Sequence, residues 1–289
     1  MTLRRTMLYI PGINPKMLAK APDTDADSVL LDLEDSVAPD KKAEARELVR
    51  DILSEDFGRT TKTVRINGMH TPYSMEDLKA MVPAKPDAVR IPKIQSKEDV
   101  ETADDVMTEL EKIHAMDVGS IKIHAMIETA LGVENAFEIA KASPRVDAIT
   151  IGGQDLTADM GIQKTESGIE LAYARGRIVM AAKAAGVAAI DTVYADVKNE
   201  EGLLAETKMI RDLGFDGKAV IHPRQIAAVH GVFTPTDVEI AKAQEIVDAF
   251  NEAKARGVGV FTIGTKMIDA PVVARAEKVL ELARECGMV

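Results

Sequence analysis

Eight short β-rich runs, each closed at once by polar residues, recur along these 289 residues and leave few folds open. They are 7–10 into Pro11 and Gly12, 29–31 into Asp32 to Asp35, 63–66 into Asn67, and 88–91 into Pro92 and Lys93. The remaining four are 121–127 into Glu128 and Thr129, 148–151 into Gly152 to Asp155, 187–190 into Asp191 and Thr192, and 219–221 into His222 and Pro223. The segments between them are long enough for helices. Several carry start or stop signals: Ser96 with Asp99 three residues on, Asn199 before Glu200 and Glu201, and Gly214 after 209–213. Strands alternating with helices require a parallel sheet, and this count and spacing predict an α/β fold, a closed (β/α)8 TIM-type barrel over 1–230. Residues 231–289 are expected to add a C-terminal helical and lid extension, its first helix opened by a capping box of Thr236 and Glu239. A doubly wound sheet is the alternative, but it gathers only the loops near its switch point, whereas a barrel brings all eight polar clusters to one face.

The chain is acidic, with a formal net charge of −11, which argues against a nucleic-acid or anionic-membrane surface but leaves room for a local basic patch near the start. A hydrophobic content of 46% is enough for one large core. The single cysteine, Cys286, excludes an internal disulfide. Residues 1–5 lead straight into the first strand rather than into a leader, and no apolar run is long enough to span a bilayer, so a cytoplasmic enzyme is expected.

Glu128 and Asp155 follow consecutive strands, and on a barrel their carboxylates converge. Two hard oxygen ligands suit Mg²⁺, which keeps several waters and leaves room for a chelating substrate; each acid alone reads equally as a helix cap. Zinc is not expected, because the five histidines are scattered. Asp32, Glu34 and Asp35 add negative charge on the same face, either hydrogen-bonding metal-bound water or complementing a helix dipole. Arg65, inside a β-rich run, needs an anion: a substrate carboxylate, or a neighbouring acid such as Asp32 or Asp35. Lys93 suggests either an imine-forming lysine or, on so acidic a face, a salt bridge.

These motifs, in order, resemble the citrate lyase β subunit and its relatives, the malyl-CoA and citramalyl-CoA lyases. The resemblance rests on RTMLYIPG at 5–12, LDLEDSV at 31–37, VRIN at 64–67, IET at 127–129, AIDTV at 189–193, GFDGKAVIHP at 214–223 and KMIDAP at 266–271. It implies a TIM-type barrel that uses Mg²⁺ to cleave a 3-hydroxyacyl thioester into an acetyl thioester and a 2-oxo acid. Glu128 and Asp155 match the family's metal ligands and Arg65 its carboxylate-gripping residue. Tyr9, Lys16 and Lys20 match positions that contact the CoA portion, Val220 and Ile221 fall beside the thioester arm, and His222 is expected to be structural. Asp269, which reads locally as a turn acid before a helix at Pro271, matches a catalytic aspartate carried on a lid from a neighbouring subunit, and so implies a homo-oligomer, a trimer or a multiple of one. The expected substrate is a citryl thioester, as citryl-CoA or citryl-acyl carrier protein, cleaved to oxaloacetate alone or with citrate lyase α and γ subunits. A malyl-CoA or citramalyl-CoA lyase is the alternative, and an assembly subunit with little activity a third reading. Gln154 departs from relatives that have an acid before the metal-binding aspartate.

Overall fold

Every residue of the run Ser28–Asp32 is buried, as in a parallel strand covered on both faces. In a computed structural model describing residues 2–165, 167–255 and 259–289, this run is the second of eight strands. They are Thr6–Pro11 (β1), Ser28–Asp32 (β2), Thr61–Arg65 (β3), Ala88–Ile91 (β4), Lys122–Ile127 (β5), Val146–Ile151 (β6), Ala188–Asp191 (β7) and Gly217–Val220 (β8). All pair in parallel in sequence order, and β1 closes the barrel on β8 through Thr6–Lys218, Met7–Ala219 and Leu8–Val220. The expected α/β barrel is therefore present, each predicted run overlapping one strand.

The helix signals operate as expected. Ser96 and Asp99 form a reciprocal capping box on the helix Lys97–Ile113, Asn199 caps Glu200–Leu213, and Gly214 ends that helix at φ 104°. Two buried charge clusters bind helices to strands. Arg145 pairs with Asp104 and with Glu111 (2.6 Å) beneath β5 and β6. Arg175 and Lys218 share Asp191, both at 2.8 Å, and also reach Glu206. The Asp191 carboxylate at the end of β7 is thereby committed to structure.

Residues Arg4–Val229 form one compact unit and His230–Val289 belong to a second. Within the second, the helices Asp237–Ala255 and Ala270–Glu285 pack through Ile240, Ala243, Ala276, Leu280 and Ala283. Between them in sequence, Phe261–Ile263 (β9) and Lys266–Ile268 (β10) form an antiparallel hairpin. Thr236 and Glu239 make the expected capping box. Among the described residues no helix is long and apolar enough to cross a membrane.

His124 on β5 is fully buried, its Nε2 3.1 Å from Asp147, which also pairs with Arg4. Burial pushes the imidazole down to about 4, despite the Asp147 carboxylate. Because the folded state resists protonation while the unfolded chain titrates near 6.5, the contribution of His124 to stability rises with pH across about 4 to 6.5, by up to about 3 kcal/mol, opposite in sign to that of the raised Glu128 carboxyl. In urea unfolding between pH 4 and 7, the pH slope of wild type should exceed that of His124→Gln by this contribution. Equal slopes for both proteins would remove His124 as the source.

Candidate active site

The register pairs Asp32 of β2 with Arg65 of β3, and Arg65 with Arg90 of β4, setting the three in one layer of the wall. Arg65 donates from Nε to Asp32 Oδ1 at 2.6 Å and from Nη2 to Oδ2 at 2.8 Å. Its Nη1 lies 3.0 Å from Glu34 and 3.2 Å from Asp35. The pairing with neighbouring acids is thus made, and Arg65 also lines the cavity described below. Burial acts to raise the Asp32 carboxyl, but the Arg65 hydrogen bonds and charge outweigh it and hold it below the usual range. Asp32 also accepts the backbone N–H groups of Glu34 and Ser36, folding the acidic loop against the strand end. Lys42 fastens that loop from behind, donating to the Leu33 and Glu34 carbonyls at 2.7 Å each.

Glu128 follows β5 directly and is buried. Its Oε1 accepts the Lys93 backbone N–H at 2.9 Å, while Lys93 Nζ pairs with Glu34 Oε1 at 2.9 Å, the salt bridge rather than the imine arrangement. Its Oε2 is buried without a partner. Gly152 faces this oxygen: a Cβ there would lie 2.4 Å from Oε2, so the close approach itself requires glycine. Asp155 stands in the first turn of the helix Gly153–Asp159. Burial, then the charges of Asp155 and Glu34, push the Glu128 carboxyl up to about 8. A divalent cation held by Glu128 and Asp155 would offset the repulsion and give Oε2 a partner. Among the described residues no group of three or more His, Cys, Asp or Glu is arranged to hold a metal. The donor set here is two carboxylates, which fits Mg²⁺ with its remaining positions on water and substrate oxygens.

A cavity of about 460 Å³ at the strand ends is lined by Tyr9, Asp32, Arg65, Arg90, Asp155 and Ile221 among others; Glu128 is outside the lining, and Gly152, which faces its Oε2, is part of it. The Tyr9 ring centre lies 5.1 Å from the Arg65 guanidinium and 5.9 Å from that of Arg90. Asp35 and Gln154 also line the cavity. Lys16 and Lys20 are exposed and outside its lining, although Met17 between them lines it. Val220 departs from expectation: its side chain is fully buried and outside the lining, because adjacent strand residues face opposite sides and only Ile221 reaches the cavity. His222 accepts the Arg224 N–H on Nδ1 at 3.1 Å, a structural contact. Asp269 belongs to the second unit, where it caps the helix Ala270–Glu285 by accepting the Val272 N–H at 3.2 Å. Arg90 is a further lining residue, inside β4 rather than at its end, and its signal in the sequence is an arginine within the β-rich run 88–91.

The model of the HpcH/HpaI aldolase/citrate lyase family matches residues 5–223. This chain belongs to that family. The citrate lyase subunit beta of Leuconostoc mesenteroides subsp. cremoris is 45% identical over 288 residues, 99% of this chain and 95% of the relative. A (3S)-malyl-CoA thioesterase of Cereibacter sphaeroides is 38% identical over 280 residues, 96% of this chain and 94% of the relative. The solved structure of CitE from Mycobacterium tuberculosis, in complex with magnesium, acetoacetate and coenzyme A, is 32% identical with a TM-score of 0.80, covering 98% of each chain. Over nearly its whole length, then, the chain is similar to a citrate lyase subunit beta, a (3S)-malyl-CoA thioesterase and CitE.

Gly152→Ala should weaken Mg²⁺ binding by about 10²-fold or more without removing either carboxylate, because the new methyl group would displace Glu128 Oε2. Calorimetric titration of the purified protein checks this; unchanged affinity would take Glu128 out of the cation site.

Proposed function

We propose that this chain is a Mg²⁺-dependent carbon–carbon lyase that cleaves a citryl thioester to an acetyl thioester and oxaloacetate. The observation that carries the reading is the buried, unpartnered Glu128 Oε2, which feels the charge of Asp155 and faces Gly152 in the lining of a cavity that Asp155, Arg65 and Arg90 also line. The 45% identity to a citrate lyase subunit beta supports the choice of substrate. Magnesium and coenzyme A in the Mycobacterium tuberculosis complex support the cofactor and the thioester carrier.

Glu128 and Asp155 would hold the Mg²⁺. Bound there, the ion supplies Lewis-acid polarisation and charge neutralisation at the substrate's hydroxyl and adjacent carboxylate. Asp32, Glu34 and Asp35 order the solvent around that site, and Asp32 fixes the Arg65 fork. Arg65 holds a substrate carboxylate in register by the N–H capacity that its acid partners leave. Tyr9, Lys16, Lys20 and Ile221 receive the thioester arm, the lysines meeting its phosphates from the exposed rim. As the hydroxyl releases its proton to solvent and becomes the 2-oxo group, the carbon–carbon bonding pair moves onto the acetyl thioester as an enolate, and protonated Asp269 delivers the proton that quenches it. In the reverse condensation the same carboxylate removes that proton.

The assembly follows from Asp269. We assign it to the cavity of a neighbouring copy, in a homo-oligomer that is a trimer or a multiple of one, working in the cytoplasm. The pantetheine arm is common to CoA and acyl carrier protein, and citrate lyase α and γ subunits are the partners proposed for the carrier-bound form.

The direct test is 2-oxo acid release from citryl-CoA, (S)-malyl-CoA and (S)-citramalyl-CoA, with Mg²⁺ and with EDTA. Oxaloacetate from citryl-CoA that EDTA abolishes is expected; preferential glyoxylate or pyruvate would move the substrate to the smaller thioesters. A second test addresses the shared site. Asp269→Asn, which keeps the helix cap, and Glu128→Gln should each lose roughly 10²- to 10⁴-fold in turnover. Co-expressing the two variants should restore part of the wild-type rate, since some cavities would then combine an intact Glu128 with an intact Asp269. No recovery would place Asp269 outside the neighbour's site.

A further inference from the structure

Arg90 is fully buried, lines the cavity, and among the described residues makes no ion pair. Its Nη1 donates to the Tyr9 hydroxyl at 3.3 Å, its Nη2 meets the Met7 thioether, and its Nε has no partner. Sulfur is a weak acceptor, and arginine stays charged in proteins. The cation is thus held in a dry wall with nothing that neutralises it in contact, a costly arrangement unless a ligand supplies the anion.

Its neighbour shows what is missing. In Arg65 the edge formed by Nε and Nη2 carries both oxygens of Asp32. In Arg90 the corresponding edge carries only the thioether and a buried Nε–H that has no partner. Side-on binding of a carboxylate to a guanidinium uses this edge. Thr150 lines the same cavity, and its buried Oγ1 is likewise without a partner. The other charged groups have their roles: Arg65, held by Asp32, Glu34 and Asp35, keeps only its remaining N–H capacity for the carboxylate common to all three substrates, Lys93 pairs with Glu34, and Glu128 with Asp155 is assigned to the cation.

The alternative substrates differ at one position. Citryl, malyl and citramalyl thioesters share the hydroxyl and its adjacent carboxylate. On the carbon bearing the hydroxyl, the malyl group has hydrogen, the citramalyl group a methyl, and the citryl group a carboxymethyl arm. Only the last brings a second carboxylate into the cavity. We propose that Arg90, with Thr150 on the same lining, receives this second carboxylate and so selects a citryl thioester over its smaller relatives. This deepens the function proposed above and rests on that reading for the identity of the substrate. An unneutralised guanidinium also acts against the smaller groups, because a hydrogen or methyl would leave it desolvated and unpaired.

The experiment compares wild type with Arg90→Met, which keeps length and removes charge, and with Arg90→Gln should the methionine variant fail to fold. Calorimetry with Mg²⁺ and CoA present measures the affinities of oxaloacetate and pyruvate, which differ by the same carboxylate, and turnover of citryl-CoA and (S)-citramalyl-CoA is measured alongside. Wild type should favour oxaloacetate and citryl-CoA, and Arg90→Met should lower both preferences by about 10²-fold, through lost affinity for the dicarboxylic partner. The Tm should hold or rise, since an unpaired buried charge does not stabilise the barrel. A wild type that cleaves citryl-CoA while Arg90→Met keeps the same preferences overturns the role of Arg90 and leaves the function standing. A wild type that cleaves the smaller thioesters and not citryl-CoA overturns the function, and with it the substrate assigned to Arg90.

Discussion

The two-point bond between Asp32 and Arg65 organises the mouth of the barrel. It joins β2 to β3 at their C-terminal ends, keeps Asp32 ionised in a buried place, and leaves the acidic loop 33–35 folded over the cavity. It also divides the positive charge of the wall. One arginine is bound to acids and positions what surrounds it, while the next, one strand away in the same layer, is left without one. A buried pair of this kind adds little net stability, because desolvation offsets much of the attraction. What it adds is fixed direction at a site where a ligand must be held in register.

A second chain of contacts fixes the cation side. Lys93 spans Glu34 and Glu128, one through its ammonium and the other through its backbone N–H. That leaves one Glu128 oxygen directed at Gly152, with Asp155 entering from the next helix. The absence of a side chain at 152 is what leaves room for the Glu128 carboxylate, since a Cβ there would lie 2.4 Å from Oε2. The same crowding makes the ionised form of Glu128 unfavourable until positive charge arrives.

The barrel was legible because its signal is local and repeated: eight runs of the correct length, each ended by residues that cannot continue a buried strand. The positions of Arg65 at the end of β3 and of Glu128 directly after β5 were legible for the same reason, whereas Asp155 lies in the first turn of the helix that follows β6. What was hidden depends on register and on the third dimension. Val220 and Ile221 are neighbours in sequence but face opposite sides of the wall, so only Ile221 lines the cavity. Whether Arg65 met an acid was left open by the sequence; the register with Asp32 decided it. Arg90 lay inside a strand rather than at its end, and the absence of a partner is a property of the assembled wall. At Asp269 the local signals describe the helix cap that the structure contains, and the catalytic role proposed for it rests on the family resemblance alone.

Anomalous diffraction from crystals soaked in Mn²⁺, a stand-in for Mg²⁺, tests the central claim of a cation held between Glu128 and Asp155. A single strong peak between those two carboxylates is predicted, at a distance from Asp32 and Glu34 that excludes direct ligation. A peak on the Asp32, Glu34 and Asp35 cluster, or none in the barrel, would contradict it.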